Sequence, residues 1–309
     1  LEIGITGWIA FLVFLVIMLA LDLGIFNRKS HDINYKEALL WSGIWISLAV
    51  LFNIGIFHFA GHEKGMEFLT GYLLEKALSV DNIFVFVLLF SYFNVSKKYQ
   101  HKVLYYGIVG ALLMRGLLIA LGAALIVKFH WVLLIFGAFL VFTGIKMAVQ
   151  KDEKVEPEKN PVVKFFKKIF PVTQNYERDK FFIKKKTGLL ATPLFIVLIV
   201  VETTDLVFAF DSIPAILAIT QDTFIVFTSN AFAILGLRSL YFALAGFMDK
   251  FKYLRIGLAV ILVFIGIKML VADFFPISVG VSLSVLLLVL TTSILASVFV
   301  KRKSKSLDL

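Results

Sequence analysis

The chain has 309 residues, 60% of them hydrophobic and only 17% charged, with a mean hydropathy of +0.93. That balance excludes an ordinary soluble domain and points to a polytopic membrane protein. The net charge of +10 does not indicate a nucleic-acid partner, because the basic residues sit mostly in short loops between apolar runs.

A helical crossing of the bilayer takes about 20 apolar residues. The alternation of a membrane barrel is absent, so the apolar runs read as helices. Nine spans are predicted, at roughly 4–26, 37–60, 66–93, 102–127, 131–150, 188–219, 222–248, 253–273 and 276–300. The first run is long and lacks a small-residue cleavage site, so it reads as a span rather than a leader. The absence of cysteine excludes disulfides, thiol catalysis and thiolate metal sites within these residues.

Charge alternates from loop to loop. Arg28, Lys29 and Lys36 follow the first span, and Lys97, Lys98 and Lys102 follow the third. Eleven basic residues lie between Lys151 and Lys186, Lys250, Lys252 and Arg255 follow the seventh span, and Lys301, Arg302, Lys303 and Lys305 form the tail. The intervening loops hold little beyond Lys64 and Lys128. The positive-inside rule then puts the N-terminus outside and the C-terminus in the cytoplasm. Residues 151–187 form the sizeable soluble piece. Within it, Val162 to Phe170 spaces apolar and basic residues as an amphipathic helix on the inner leaflet would.

The chain repeats itself. Val141-Phe-Thr-Gly-Ile-Lys-Met-Ala-Val149 recurs as Val263-Phe-Ile-Gly-Ile-Lys-Met-Leu-Val271, with seven of nine positions identical. Arg115 precedes the first copy in mid-span and Arg238 precedes the second. Earlier still stand two acidic stretches, Glu75-Lys-Ala-Leu-Ser-Val-Asp81-Asn82 and Glu202-Thr-Thr-Asp205-Leu-Val-Phe-Ala-Phe-Asp211-Ser212. Spans three to five therefore match spans six to eight. A unit of three spans must re-enter the membrane upside down, so the expected fold is all-α and polytopic with a 3+3 inverted repeat, an architecture of transporters. The organisation is two N-terminal spans (1–65), the first repeat (66–150), the cytoplasmic linker (151–187), the second repeat (188–273) and a last span with a basic tail (274–309).

An ionisable residue at mid-bilayer costs about 2.5–3.5 kcal/mol on insertion scales. Glu75, Asp81, Glu202, Asp205, Asp211, Arg115 and Arg238 must therefore face the bundle interior. Ion-pair glue, two arginines neutralising two carboxylates to fix helix register, is the plainer reading, with Lys76, Lys146 and Lys268 as further positive charge. Against it, five carboxylates meet two arginines, and the surplus of negative charge asks for a cation. Residues six apart on a straight helix stand about 120° apart and about 9 Å along the axis. The acid pairs are thus expected either to mark local unwinding, favoured in span six by Pro214, or to divide between a central site and an access path. Asn82 and Ser212 add neutral oxygen ligands. With no cysteine, and with His31, His58, His62, His101 and His130 at loops and span ends, the set suits Mn²⁺, Mg²⁺ or Ca²⁺ better than zinc or copper.

Three stretches together resemble the TerC family of integral membrane proteins. They are Glu75-Lys-x-Leu-Ser-x-Asp81-Asn82, Glu202-Thr-Thr-Asp205-x-x-Phe-Ala-x-Asp211-Ser-Ile-Pro214 and Arg28-Lys-x-His31…Lys36-Glu-Ala-Leu. The likeness covers essentially the whole chain. It implies Mn²⁺ efflux, with the carboxylates of the two acid motifs as ion ligands, in a family also associated with tellurium-resistance operons. The expected protein is a proton-coupled secondary transporter, not an enzyme. Asp81 and Asp211 are its central ligands, Glu75, Asp205 and Glu202 its outer ligands or proton acceptors, and Arg115 and Arg238 its counter-ions. No ATP-binding signature is present. The Gly-x-Gly-Asp pattern of intramembrane aspartyl proteases is absent too. A non-transporting scaffold in a metal-stress or tellurite-resistance complex is the alternative. Expected partners are the divalent cation, protons and the lipid bilayer, and the sequence leaves assembly as a homo-oligomer open.

Overall fold

The computed structural model describes residues 4–24, 35–129, 131–149, 160–169, 171–185, 188–245, 253–272 and 274–305. Arg28, Lys29, His31, His130, the charged linker 151–159, Lys250 and Lys252 lie outside the described residues. So do the side chains of the basic tail from Lys301.

The protein is an all-α polytopic membrane protein. In chain order it forms α1 (Ile5–Gly24), α2 (Tyr35–Phe59), α3 (His62–Tyr92), α4 (Lys97–Lys128) and α5 (Val132–Val149). After the linker come α6 (Pro161–Ile169) and an antiparallel hairpin of β1 (Phe182–Lys185) and β2 (Gly188–Ala191). The chain then forms α7 (Pro193–Leu217), α8 (Thr223–Leu235), α9 (Leu237–Leu244), α10 (Leu254–Leu270) and α11 (Val279–Lys305). Among the described residues, α2, α4, α5, α7 and α11 are long and apolar enough to cross a membrane. The bent pair α8 and α9 makes a sixth. Helix α1 offers a shorter apolar stretch and α10 is 17 residues long. Helix α3 has 31 residues, but Glu75, Lys76, Asp81 and Asn82 lower its hydropathy.

Local signals explain several boundaries. The sixth span starts later than expected: 188–191 pairs with β1, and the helix opens with Pro193 at its first turn, where the missing N–H costs nothing. Asp222 caps α8 by accepting from the N–H groups of Phe224 and Ile225. Both acid motifs lie in unbroken helix, contrary to the expected unwinding. The break falls at Gly236 instead, where α8 and α9 bend by 41°. Opening a helix in a bilayer frees backbone groups that water cannot satisfy. At Gly236 one freed carbonyl is answered, because Lys76 donates from α3 to the oxygen of Ala233 at 2.9 Å. A Cβ on Gly236 would sit 2.8 Å from that ammonium.

Helices α3, α4, α7 and α8–α9 form the centre. Helix α3 packs on α8, and α4 packs on α7. Helix α3 runs antiparallel to α7. Glu67 near its start meets Thr220 just beyond the end of α7, whereas Phe86 late in α3 shares a cavity with Val201 early in α7. On one flank α5 and α10 pack backbone to backbone. A Cβ on Gly137 would lie 2.9 Å from the carbonyl of Gly266, and one on Gly144 would lie 2.8 Å from that of Ala259. These two contacts exchange at the spacing that lays Val141 on Val263. On the other flank α1 and α2 close over α3 and α8 through Phe11, Phe52, Phe68 and Phe232. Leu113, Leu117, Phe142 and Leu288 face outward, an apolar surface suited to lipid.

Candidate functional site

The centre of the bundle is built on one side chain. Arg115, mid-way along α4, is 2% exposed, a position no guanidinium occupies without partners. It has them on three neighbouring helices. Its Nε donates to Asp205 Oδ2 at 3.0 Å and its Nη2 donates to Asp205 Oδ1 at 2.9 Å, a two-bond fork onto α7. Its Nη1 pairs with Glu75 of α3 and reaches Ser212 Oγ at 3.3 Å and Asn230 Oδ1 at 3.4 Å. Asn230, on α8, donates from Nδ2 to the second oxygen of Glu75 at 3.1 Å. Glu75, Asp205, Ser212 and Asn230 are all buried.

The placement follows from helix geometry. Glu75 and Asp205 sit at corresponding places in the two acid motifs, and because α3 and α7 run antiparallel they meet at one level. Asp81 and Asp211 are half-buried. Each stands about 9 Å further along its helix, so antiparallel axes carry them to opposite sides of the Arg115 level. Asn82 is buried beside Asp81. The structure thus centres its charged cluster on Glu75 and Asp205, where sequence reasoning centred the site on Asp81 and Asp211.

Glu202 lies one turn before Asp205, and its Oε2 is buried with no hydrogen-bond partner among the described residues. The carboxylate rests on α4 at Gly110, where any Cβ would strike it. A small cavity of about 10 Å³ lies between Phe86, Gly107, Val201, Asp205 and Arg238, room for about one water. Arg238, near the start of α9, is buried, and its Nη1 lies 3.0 Å from His101 Nε2. That histidine is thus a neighbour of the polar centre.

Three carboxylates, Glu75, Asp205 and Glu202, gather here with three cationic side chains: Arg115 in the fork, Arg238 across the small cavity from Asp205, and Lys76 next to Glu75 in sequence. Among the described residues no group of three or more His, Cys, Asp or Glu converges closely enough to hold an ion. Here the guanidinium stands between the carboxylates. Were it to withdraw, Glu75, Asp205, Ser212 and Asn230 would leave an all-oxygen set from three helices. Sequence reasoning missed Asn230 and Gly110. A mid-span asparagine is the kind of polar signal that could have marked the first.

Comparison with known proteins places this architecture. The profile of the family described as integral membrane protein TerC family matches residues 60–305. The chain is 48% identical over 308 residues to the "Uncharacterized membrane protein STKORF319" of Myxococcus xanthus, covering 99% of this chain and 97% of the relative. It is 46% identical over 305 residues to the "Putative membrane-bound redox modulator Alx" of Salmonella typhi, covering 96% and 95%. An "Uncharacterized membrane protein" of Rickettsia bellii is 43% identical over 295 residues, covering 96% and 98%. No solved structure matches the chain. The chain belongs to the TerC family of integral membrane proteins.

Proposed function

We propose that the chain is a secondary transporter that exports a hard divalent cation, with Mn²⁺ the best fit, in exchange for protons. One observation carries this reading: Glu75 and Asp205, from corresponding acid motifs, meet on a single buried arginine with Ser212 and Asn230 beside them, an oxygen-rich set at the centre of the bundle. Glu202 adds a buried carboxylate oxygen with no hydrogen bond among the described residues, which an interior built only for rigidity has no use for. The antiparallel packing of α3 with α7 and of α5 with α10 supports the inverted-repeat reading, with the site at the level where the repeats meet.

In this mechanism Arg115 holds the carboxylates in the ion-free state. The entering cation takes over Glu75, Asp205, Ser212 and Asn230 while Arg115 withdraws. Asp81 with Asn82 lies towards one side of the membrane and Asp211 towards the other, as ligands of the paths in and out. Glu202 carries the proton, because its free oxygen is next to the site and outside the arginine fork. Moving one charge against 100 mV costs about 2.3 kcal/mol, and a divalent ion about twice that. Two protons moving inward per ion would cancel the charge. Rocking of one repeat against the other alternates access. The chain is not an enzyme in this scheme. Its membrane is the bacterial inner membrane, with the N-terminus outside.

The enteric relative's printed name speaks of redox modulation. These 309 residues contain no cysteine, so such a role here would pass through the exported metal rather than through a thiol of this chain. Purified protein in liposomes, with a Mn²⁺-sensitive dye inside and an imposed pH gradient, tests the proposal. Gradient-dependent Mn²⁺ movement is expected, lost in Asp205→Asn and Glu75→Gln. Absence of flux in a folded, reconstituted protein would favour a scaffold instead.

A further inference from the structure

Helix α6 carries Lys164, Lys167 and Lys168, all exposed, and the transport scheme uses none of them. At about 100° per residue its nine positions fall into three sectors. Val162, Val163 and Phe166 face the protein. Val163 is buried in the core beside α7, and the Phe166 ring packs on Phe195 at 5.7 Å. The lysines occupy a second arc. Phe165 and Ile169, 59% and 52% exposed, occupy the arc between. Basic groups beside protruding apolar groups, on a helix held antiparallel to α7 by its third side, combine the chemistries that anionic headgroups and acyl-chain ends take.

Depth agrees. The outer end of α4 is Lys128, flanked by Phe129 and Trp131. About 20 residues cross the hydrocarbon, which puts the opposite boundary near Ile108. Gly107 packs on Val201 of α7, so Val201 stands near that level. Helix α6 lies alongside this first part of α7 and antiparallel to it, from Thr203 at its start to Phe195 near its end. Its cap is shared with the acid motif. Asn160 Oδ1 accepts from the Val162 N–H at 2.9 Å, and its Nδ2 donates to Thr203 Oγ1 at 2.8 Å. Thr203 is the neighbour of Glu202.

We propose that α6 docks the anionic phospholipid headgroups of the inner leaflet, and that Asn160 passes this contact to the Glu202–Asp205 motif. Anionic headgroups give the cytoplasmic leaflet a negative surface potential, and each lysine near it contributes about fivefold in binding. The choice of leaflet rests on the proposed orientation; the headgroup chemistry rests on α6 alone.

Hydrogen exchange on the full chain in lipid nanodiscs tests this without measuring transport. Exchange across 161–169 should slow when phosphatidylglycerol replaces part of a phosphatidylcholine disc, and residues 195–203 should slow with it. The triple variant Lys164→Gln, Lys167→Gln, Lys168→Gln should lose the difference, with α4 as the folding control. Asn160→Ala should keep the effect in α6 and lose it in 195–203. Equal exchange of the unaltered protein in both lipids would overturn the proposal. So would a triple variant that still responds, or an equal slowing by inorganic phosphate in phosphatidylcholine discs. The first of these needs no variant to fold.

Discussion

Arg115 is the residue on which the centre depends. It is the one cation between Glu75 and Asp205, and all three are almost wholly buried. Removing one partner of a buried ion pair costs about 3–5 kcal/mol, because the other is left charged and dry. Arg115→Met should therefore lower the unfolding midpoint in detergent sharply. Adding Glu75→Gln and Asp205→Asn should recover part of the loss, since fewer charges then lack a partner. Arg115→Lys keeps the charge but not the two-bond fork on Asp205, and should fall between. Glu202→Gln is the contrasting case. The buried Oε2 has no hydrogen bond to lose, so stability should hold while proton-coupled flux fails. Equal losses of both would remove Glu202 from the proton's path. The charged members of this cluster were legible in the sequence because each is costly in an apolar run. Asn230 and Gly110 were not, since a neutral amide and a missing side chain leave only a faint trace until their neighbours are known.

At the scale of the element, hydropathy located most helices and misjudged where they break. Two acids six residues apart suggested unwinding, yet α3 and α7 run on unbroken. Asp205 finds Arg115, and Glu75 finds Arg115 and Asn230, on neighbouring helices, so the backbone has nothing to open for. The actual break depends on Lys76 of α3 reaching α8, a pairing far apart in sequence. The helix pair α5 and α10 makes a prediction of its own. Gly266 brings its backbone against Gly137 and Val141, and a Cβ there would lie 2.7 Å from the Gly137 carbonyl. A backbone oxygen cannot move aside as a side-chain tip can. Gly266→Ala should therefore cost about 1–3 kcal/mol, the range for overpacking, read as a lower midpoint. Gly43→Ala is the control. Its Cβ meets nothing within 4 Å inside α2, and replacing a helical glycine by alanine gains about 0.5–1 kcal/mol.

At the scale of the molecule, direction is what gives the site its meaning. Antiparallel α3 and α7 send Asp81 and Asp211 to opposite sides of the Arg115 level, so in the proposed transport the same acids would serve import or export according to which end faces the cytoplasm. The charged ends are unequal. Exposed Lys97, Lys98, Lys164, Lys167 and Lys168 gather at the end where α4 begins, against Lys64 and Lys128 at the other. That bias favours the first end inside. The chain's lack of cysteine makes the test clean, because a single introduced thiol is the only one present. Lys128→Cys should react with a membrane-impermeant maleimide in intact cells. Lys98→Cys, also at an exposed position, should react only after the membrane is opened. The reverse pattern would leave the Arg115 cluster and its chemistry as described, but it would turn the ion's path around. The α6 lysines would then face the outer leaflet, so the leaflet of the lipid contact would change with the export direction, while the headgroup contact itself rests on α6 alone.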